Sequence, residues 1–312
     1  MTLKKQIQAE KKGQFEGHSG AIYTLEPASE KHLFFSGSSD NLVVEWDMKT
    51  GAHKAVAQLP AKAFALKYIP EKQLLFVGQS TGGIHVIDIA QQKEIKFLQF
   101  HQDIIFDLQY LADKQWLFAL GGDGRVSIWN TADYSLVKAI QLSDKKVRSV
   151  DFHLANNEAI IGCGDGSIQI LDLNSLEKKA VLHEHLEDFS VSSVRFTPDQ
   201  KHLLTGSRDA HLNIWDVSKG YELIHRIPAH NYAIYSIVFS PDGRLFATGS
   251  RDKTIKIWDA VTFDHLLRID RKTQNGHTHS VNKLWWSSYD NQLLSTGDDR
   301  TIKVWDIDDS LL

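Results

Sequence analysis

A lone cysteine, Cys163, rules out any intramolecular disulfide. Its neighbours Ile160, Ile161 and Gly162 predict a strand and hence a buried, inert thiol. Long hydrophobic runs are missing as well: nothing approaches the ~18 apolar residues of a membrane-spanning helix. The opening segment MTLKKQIQAEKK has no apolar stretch, which excludes a secretory signal. An excess of positive charge is also lacking. The formal net charge of −4 argues against general nucleic-acid binding, though a total hides local patches. Helical periodicity competes nowhere. These absences predict a soluble, cytoplasmic protein, or a nuclear one if the source is eukaryotic, with no membrane partner.

What the chain does have is repetition. Hydrophobic residues make up 42% and charged residues 24% of it, enough for a folded core under a solvated surface. A Trp-Asp pair or a relative recurs: Trp46-Asp47, Ile87-Asp88, Trp129-Asn130, Leu171-Asp172, Trp215-Asp216, Trp258-Asp259 and Trp305-Asp306. The second residues stand 41, 42, 42, 44, 43 and 47 positions apart. Two further markers keep phase with the pair. His18, His101, His230 and His277 precede their Trp by 28 residues and His185 by 30. Asp40, Asp123, Asp209, Asp252 and Asp299 precede it by six. Within a unit, SIVFSPDGRLFATGSRDKTIKIWD (236–259) reads as short β-rich runs broken by Ser-Pro-Asp-Gly and Ser-Arg-Asp-Lys turns. Gly-Asp-Gly at 122–124 and 164–166 and Thr-Pro-Asp-Gln at 197–200 are similar turns.

These residues resemble the WD-repeat (G-beta-like) family from about Gly17 to Asp306. The resemblance implies an all-β, seven-bladed propeller of four-stranded antiparallel blades. It also implies that the Gly-His turn and the Asp-bearing turn share one rim, the top. Repeats are expected at about 17–47, 59–88, 101–130, 143–172, 185–216, 230–259 and 276–306, within one domain over 1–312. The last unit has no fourth strand after Asp306, whereas LKKQIQAEKKGQF (3–15) is surplus at the start. The N-terminal segment 1–15 is therefore predicted to complete the last blade, closing the ring and removing an open sheet edge. Asp308-Asp309 is expected in a solvated tail.

Four units carry His, hydroxyl, Asp and Trp in one phase: His18, Ser36, Asp40, Trp46; His185, Thr205, Asp209, Trp215; His230, Thr248, Asp252, Trp258; and His277, Ser295, Asp299, Trp305. Each could pass for a hydrolase triad, but an enzyme needs one active site, not four. A chain from Trp through hydroxyl and His to Asp satisfies every donor and acceptor, which avoids about 1–3 kcal/mol for each unpaired buried group. A structural tetrad is the expectation. Unit 2 departs with Leu59, Thr81 and Ile87, and unit 4 with Ser143 and Leu171 around a retained Asp165. Unit 3 has Ala119 at the hydroxyl position. Blades 2 to 4 are thus expected to rely on apolar packing, with looser top loops. His183/His185 and His277/His279 lack a third metal ligand, and Gly162-Cys163-Gly164-Asp165-Gly166 has no helix after it to receive a phosphate. No catalytic, cofactor or metal site is predicted.

Two positions line the expected channel mouth. Alignment of AIYTL, IIFDL, KVRSV, SVSSV, AIYSI and SVNKL yields Tyr23, Phe106, Arg148, Ser192, Tyr235 and Asn282, with Ala65 for blade 2. The position before the repeat Asp yields Ser39, Gly122, Gly164, Arg208, Arg251 and Asp298. Arg148, Arg208 and Arg251 come from consecutive blades and are expected to converge. Between Asp259 and His277 the chain runs longer than at the other junctions, adding Arg271 in a polar loop (270–276) on the same rim. Tyr23, Phe106, Arg148, Arg208, Tyr235, Arg251 and Arg271 are the candidate partner-binding residues, of types that dominate binding hot spots. The reading is a non-enzymatic protein–protein interaction scaffold, a monomer or a member of a larger complex, taking an acidic or phosphorylated segment. A channel-mouth enzyme and nucleic-acid recognition through the arginine sector are the alternatives.

Overall fold

A computed structural model describes residues 7–308. Among the described residues, twenty-eight strands form seven four-stranded antiparallel sheets. Six sheets are built from consecutive strands; the first, for instance, runs Ile22–Pro27, Leu33–Ser38, Leu42–Asp47, His53–Gln58. The seventh is split: Val281–Trp286, Leu293–Gly297 and Ile302–Asp308 are completed by Gln8–Phe15 from the chain start. That outer strand pairs Gln8 with Asp308 and Phe15 with Ile302, interrupted by a bulge at Lys11/Gly13. The ring is thus closed by the pairing of Gln8–Phe15 with Ile302–Asp308. Residues 1–6 of the expected closing segment and Asp309 lie outside the described residues.

The innermost strands, Ile22–Pro27, Ala63–Ile69, Ile105–Leu111, Val147–His153, Val191–Phe196, Ile234–Phe239 and Val281–Trp286, each touch the preceding and the following one, and the last touches the first. They enclose the channel. Burial falls outward: in the second blade Leu74–Gln79 is wholly buried, while the outer strand Lys93–Gln99 is mostly exposed. The core therefore lies between blades rather than within one sheet. Each of seven apolar clusters joins neighbouring blades, as where Ile22, Phe34 and Trp46 meet Leu294, Ile302 and Val304 across the closure. Among the described residues no helix is long and apolar enough to cross a membrane.

Polar staples on the channel wall fix blade to blade. Val150 N–H donates to Asp107 Oδ2 (3.2 Å), Val194 N–H to Ser149 Oγ (3.2 Å), Ile237 N–H to Ser193 Oγ (3.2 Å) and Leu284 N–H to Ser236 Oγ (3.1 Å). Across the closure, Asn282 Nδ2 donates to Ile22 O at 3.0 Å. Each bond joins one inner strand to the next and fixes the angle between blades.

Candidate functional site

Five blades carry a continuous hydrogen-bonded chain behind the top rim. In the first, Trp46 Nε1–H donates to Ser36 Oγ (2.7 Å), which lies 2.7 Å from His18 Nε2, while His18 Nδ1 lies 2.9 Å from Asp40 Oδ2. The same sequence of contacts joins Trp215, Thr205, His185 and Asp209 at 3.0, 2.9 and 3.0 Å. It joins Trp258, Thr248, His230 and Asp252 at 2.9, 2.8 and 3.0 Å. In the last blade Trp305, Ser295, His277 and Asp299 follow at 2.8, 2.7 and 2.9 Å. A neutral imidazole protonated at Nδ1, with Nε2 accepting from the hydroxyl, satisfies every member of such a chain. Burial depresses the pKa of His18, His230 and His277 against the pull of their aspartates. Asp209 is raised by burial but lowered more by its bonds to His185 and to backbone N–H groups, and it settles at about 2. Both ring nitrogens of His185 and His277 are engaged, which leaves neither free as a metal ligand.

The third blade corrects the sequence expectation. Ala119 leaves its position without a hydroxyl, yet His101 Nε2 and Trp129 Nε1 both meet Ser127 Oγ at 2.8 Å, and His101 Nδ1 meets Asp123 at 3.0 Å. Ser127 sits directly opposite Ala119 in the strand ladder, so the hydroxyl has moved across to the neighbouring strand and still reaches the same point. This blade does not depend on apolar packing alone. In the fourth, Ser143 takes the histidine's place and donates to Asp165 Oδ2 at 2.7 Å. The second has no such chain, but His85 Nε2 contacts Gln79 Oε1 at 3.0 Å, and its rim stays tied by Ser80 N–H to Lys62 O at 2.9 Å.

These chains hold the two positions that form the mouth. In every blade the inner strand carries a β-bulge near its start, where the register with the second strand slips by one residue. The bulged residues are Tyr23, Phe64, Phe106, Arg148, Ser192, Tyr235 and Asn282, and all seven line one depression of about 350 Å³ at the channel mouth. A bulge re-aims a side chain that regular pleating would turn into the sheet. For the second blade the bulge is Phe64, not the Ala65 expected from alignment; Ala65 lines the same depression as its neighbour. The residue before the repeat Asp is anchored in turn: Arg208 N–H donates to Ser190 O (2.8 Å) and Arg251 N–H to Ala233 O (2.9 Å).

The mouth is uneven in character. Tyr23 and Phe64 stack with centroids 4.1 Å apart and planes 8° apart, and Phe64 meets Phe106 edge-on at 6.2 Å. Phe106 in turn covers the guanidinium of Arg148 at 4.2 Å. Arg148 Nε is buried without a partner. Burial pulls its pKa down, opposed by Tyr235 and Asp107. Phe106 also lines a second, shallower depression with Lys145, Lys146 and Arg208. Burial and the charges of Arg148 and Arg208 lower the pKa of Lys146, which brings these three cations into one field. On the opposite side Asn282 Nδ2 donates to Asp298 Oδ1 at 2.8 Å.

The arginines do not all converge. Arg208 is exposed and lies 6.0 Å from the Phe189 ring; Arg251, also exposed, lies 6.0 Å from Tyr232 and lines neither depression. Arg271 sits in a single-turn helix, Arg271–Gln274, capped by Asp270, whose side chain accepts from Lys272 N–H and Thr273 N–H. That helix touches the outer strand Gln8–Phe15, and Lys303 Nζ ties Asn275 O at 3.3 Å, so the loop stands at the periphery. Cys163 is fully buried, and burial pushes its thiol up to about 12. Phe64 was missed in sequence because its blade lacks the Asp and Trp that set the phase elsewhere.

Comparison with known proteins agrees with this geometry. The family described as WD domain, G-beta repeat matches residues 9–47, 92–130, 176–216, 221–259 and 270–306. A eukaryotic translation initiation factor 3 subunit I from Emericella nidulans is 23% identical over 209 residues, 64% of this chain and 51% of that protein. The nuclear distribution protein PAC1 of Candida albicans is 34% identical over 171 residues, 52% of this chain and 34% of its own length. A WD repeat-containing protein SL1-17 from Schistosoma mansoni is 25% identical over 209 residues, 66% and 54% of the two chains. The match spans about half the length of the first of these relatives.

Proposed function

The chain belongs to the WD domain, G-beta repeat family, and on that premise we propose that it is a non-enzymatic docking platform whose top channel mouth seats an anionic segment, acidic or phosphorylated, of another protein. One observation carries the reading: all seven inner strands bulge at the same level and turn their side chains into one depression, where aromatic and arginine residues gather. Aromatic and arginine side chains desolvated in a pocket are the usual anchors of protein recognition. The tetrads support the reading from the other side, because each histidine-aspartate pair that resembles catalytic machinery has its hydrogen-bonding capacity consumed within its own blade. A relative bearing the name of an initiation factor subunit supports a role as one member of a larger assembly, and a cytoplasmic location is part of the proposal.

The test is affinity capture on the intact protein, followed by mass spectrometry. It is compared with Arg148→Glu/Arg208→Glu/Arg251→Glu and with an outer-strand control, Lys93→Glu/Lys96→Glu. A specific partner is expected with the wild type and the control and lost with the triple variant. Thermal unfolding checks that this variant folds, and Arg208→Glu alone, at an exposed position, is expected to weaken capture even if Arg148→Glu, which replaces a buried Nε, unfolds the chain. An unchanged partner set with a folded triple variant would move the docking face to the blade sides or the bottom.

A further inference from the structure

Building on that docking reading, we infer that the anion seated at the mouth is a phosphate monoester of a phosphorylated segment, held between Arg148 and Arg208. The first observation is a charge imbalance. Lys145, Lys146, Arg148 and Arg208 gather around the Phe106 side of the mouth, and over the linings of both depressions six cations, these four with Arg195 and Lys283, stand against four carboxylates, Asp103, Asp107, Asp188 and Asp298. The local surplus of two positive charges matches a phosphate monoester, which carries about −1.5 to −2 near neutral pH, better than the single charge of a carboxylate.

The second observation is an unsatisfied donor. Phe106 lies over the face of the Arg148 guanidinium at 4.2 Å, Nε is buried, and among the described residues no hydrogen bond or ion pair to Arg148 occurs. A buried donor without a partner carries a penalty that an incoming acceptor removes. Stacking fixes the plane and leaves the edge, where the N–H groups of a guanidinium form a fork suited to phosphate oxygens.

The third is room. At the rim position before the repeat aspartate, the blades flanking this sector carry glycine. A Cβ on Gly122 would stand 2.5 Å from Asp103 Oδ2, and one on Gly164 2.9 Å from Lys146 O. Without side chains at these points, the loops bearing Asp103 and Lys146 lie down against the rim, and the basic depression stays open between Phe106 and Arg208. Elsewhere the same position holds Ser39, Arg251 or Asp298.

The test uses the full chain and three degenerate peptide libraries of equal length, with phosphoserine, glutamate or serine fixed at the centre. Binding is read by fluorescence anisotropy, with inorganic phosphate as competitor. The phosphoserine library is expected to bind at least about tenfold more tightly than the glutamate library. Phosphate is expected to compete, and Arg148→Gln and Arg208→Gln each to lose the preference, while Arg271→Gln keeps it. Arg208 is exposed, so its variant reports even if Arg148→Gln folds poorly. Equal binding of the phosphoserine and glutamate libraries, both above serine, would overturn the phosphate inference and leave anionic docking standing. Binding of none by the folded protein, or a phosphate preference that survives both arginine variants, would overturn it as well.

Discussion

Replacing Ser127 by Ala removes one oxygen that serves two buried partners. Its hydroxyl accepts from Trp129 Nε1–H and donates to His101 Nε2, both at 2.8 Å, and Ser127 and His101 are fully buried. No water can replace it without entering the interior, so two polar groups are orphaned at about 1–3 kcal/mol each, or about 2–6 kcal/mol together. The same structure supplies the rescue. Ala119 faces Ser127 across the ladder and occupies the position from which Ser36, Thr205, Thr248 and Ser295 serve their blades. Ser127→Ala/Ala119→Ser should therefore regain most of the loss. Denaturant unfolding of the wild type, both single variants and the double variant measures this. A Ser127→Ala loss within about 0.5 kcal/mol of zero, the size of an ordinary surface change, would show that this hydroxyl does not hold the blade together. A double variant no more stable than the single would contradict the rescue.

Deleting residues 1–15 strips the seventh blade of its outer strand and exposes the edge of Ile302–Asp308. Lower thermal stability and self-association by light scattering are expected, because an unpaired edge templates pairing with another chain. Acid should weaken the fold in two stages. His18, His230 and His277 are held below the ordinary value of about 6.5, so the unfolded chain takes up protons first and stability falls as pH drops below that value. Asp209 contributes stability above its unfolded value that is lost as pH falls toward about 2. Unfolding free energy measured against pH should show both stages, and a flat profile between pH ~4 and ~7 would contradict the first. Cys163, buried with its thiol pushed up to about 12, should resist a thiol reagent at neutral pH until denaturant is added, as a colorimetric thiol titration would show.

The architecture was legible in the chain because three markers repeat in one phase over most units, which fixes the period even where the second blade lacks them and still takes its place in the ring. The closing strand was legible for a related reason: one unit lacks a strand and the start of the chain has one to spare. What escaped were displacements perpendicular to the chain. Ser127 lies eight residues from Ala119 in sequence but directly opposite it in the ladder, and linear alignment does not register that exchange. Phe64 escaped because a bulge shifts the count by one residue where no Trp or Asp corrects it. The rim position of Arg251 was readable, but its surroundings were not: it lies beside Tyr232 and lines neither depression, whereas Arg208 lines the second with Lys146. Loop length alone put Arg271 on the rim, and the helix it belongs to packs outward against the closing strand.

Docking of partners on the ring of bulged residues at the channel mouth leaves a footprint in backbone exchange. Hydrogen–deuterium exchange on the purified complex, compared with the free protein, tests it most directly. Slowed exchange is expected in peptides spanning residues 22–25, 63–66, 105–108 and 145–149, with the outer strands, such as Lys93–Gln99, unchanged. Protection confined to the outer strands or to the opposite turns, with the mouth peptides exchanging as in the free protein, would contradict it.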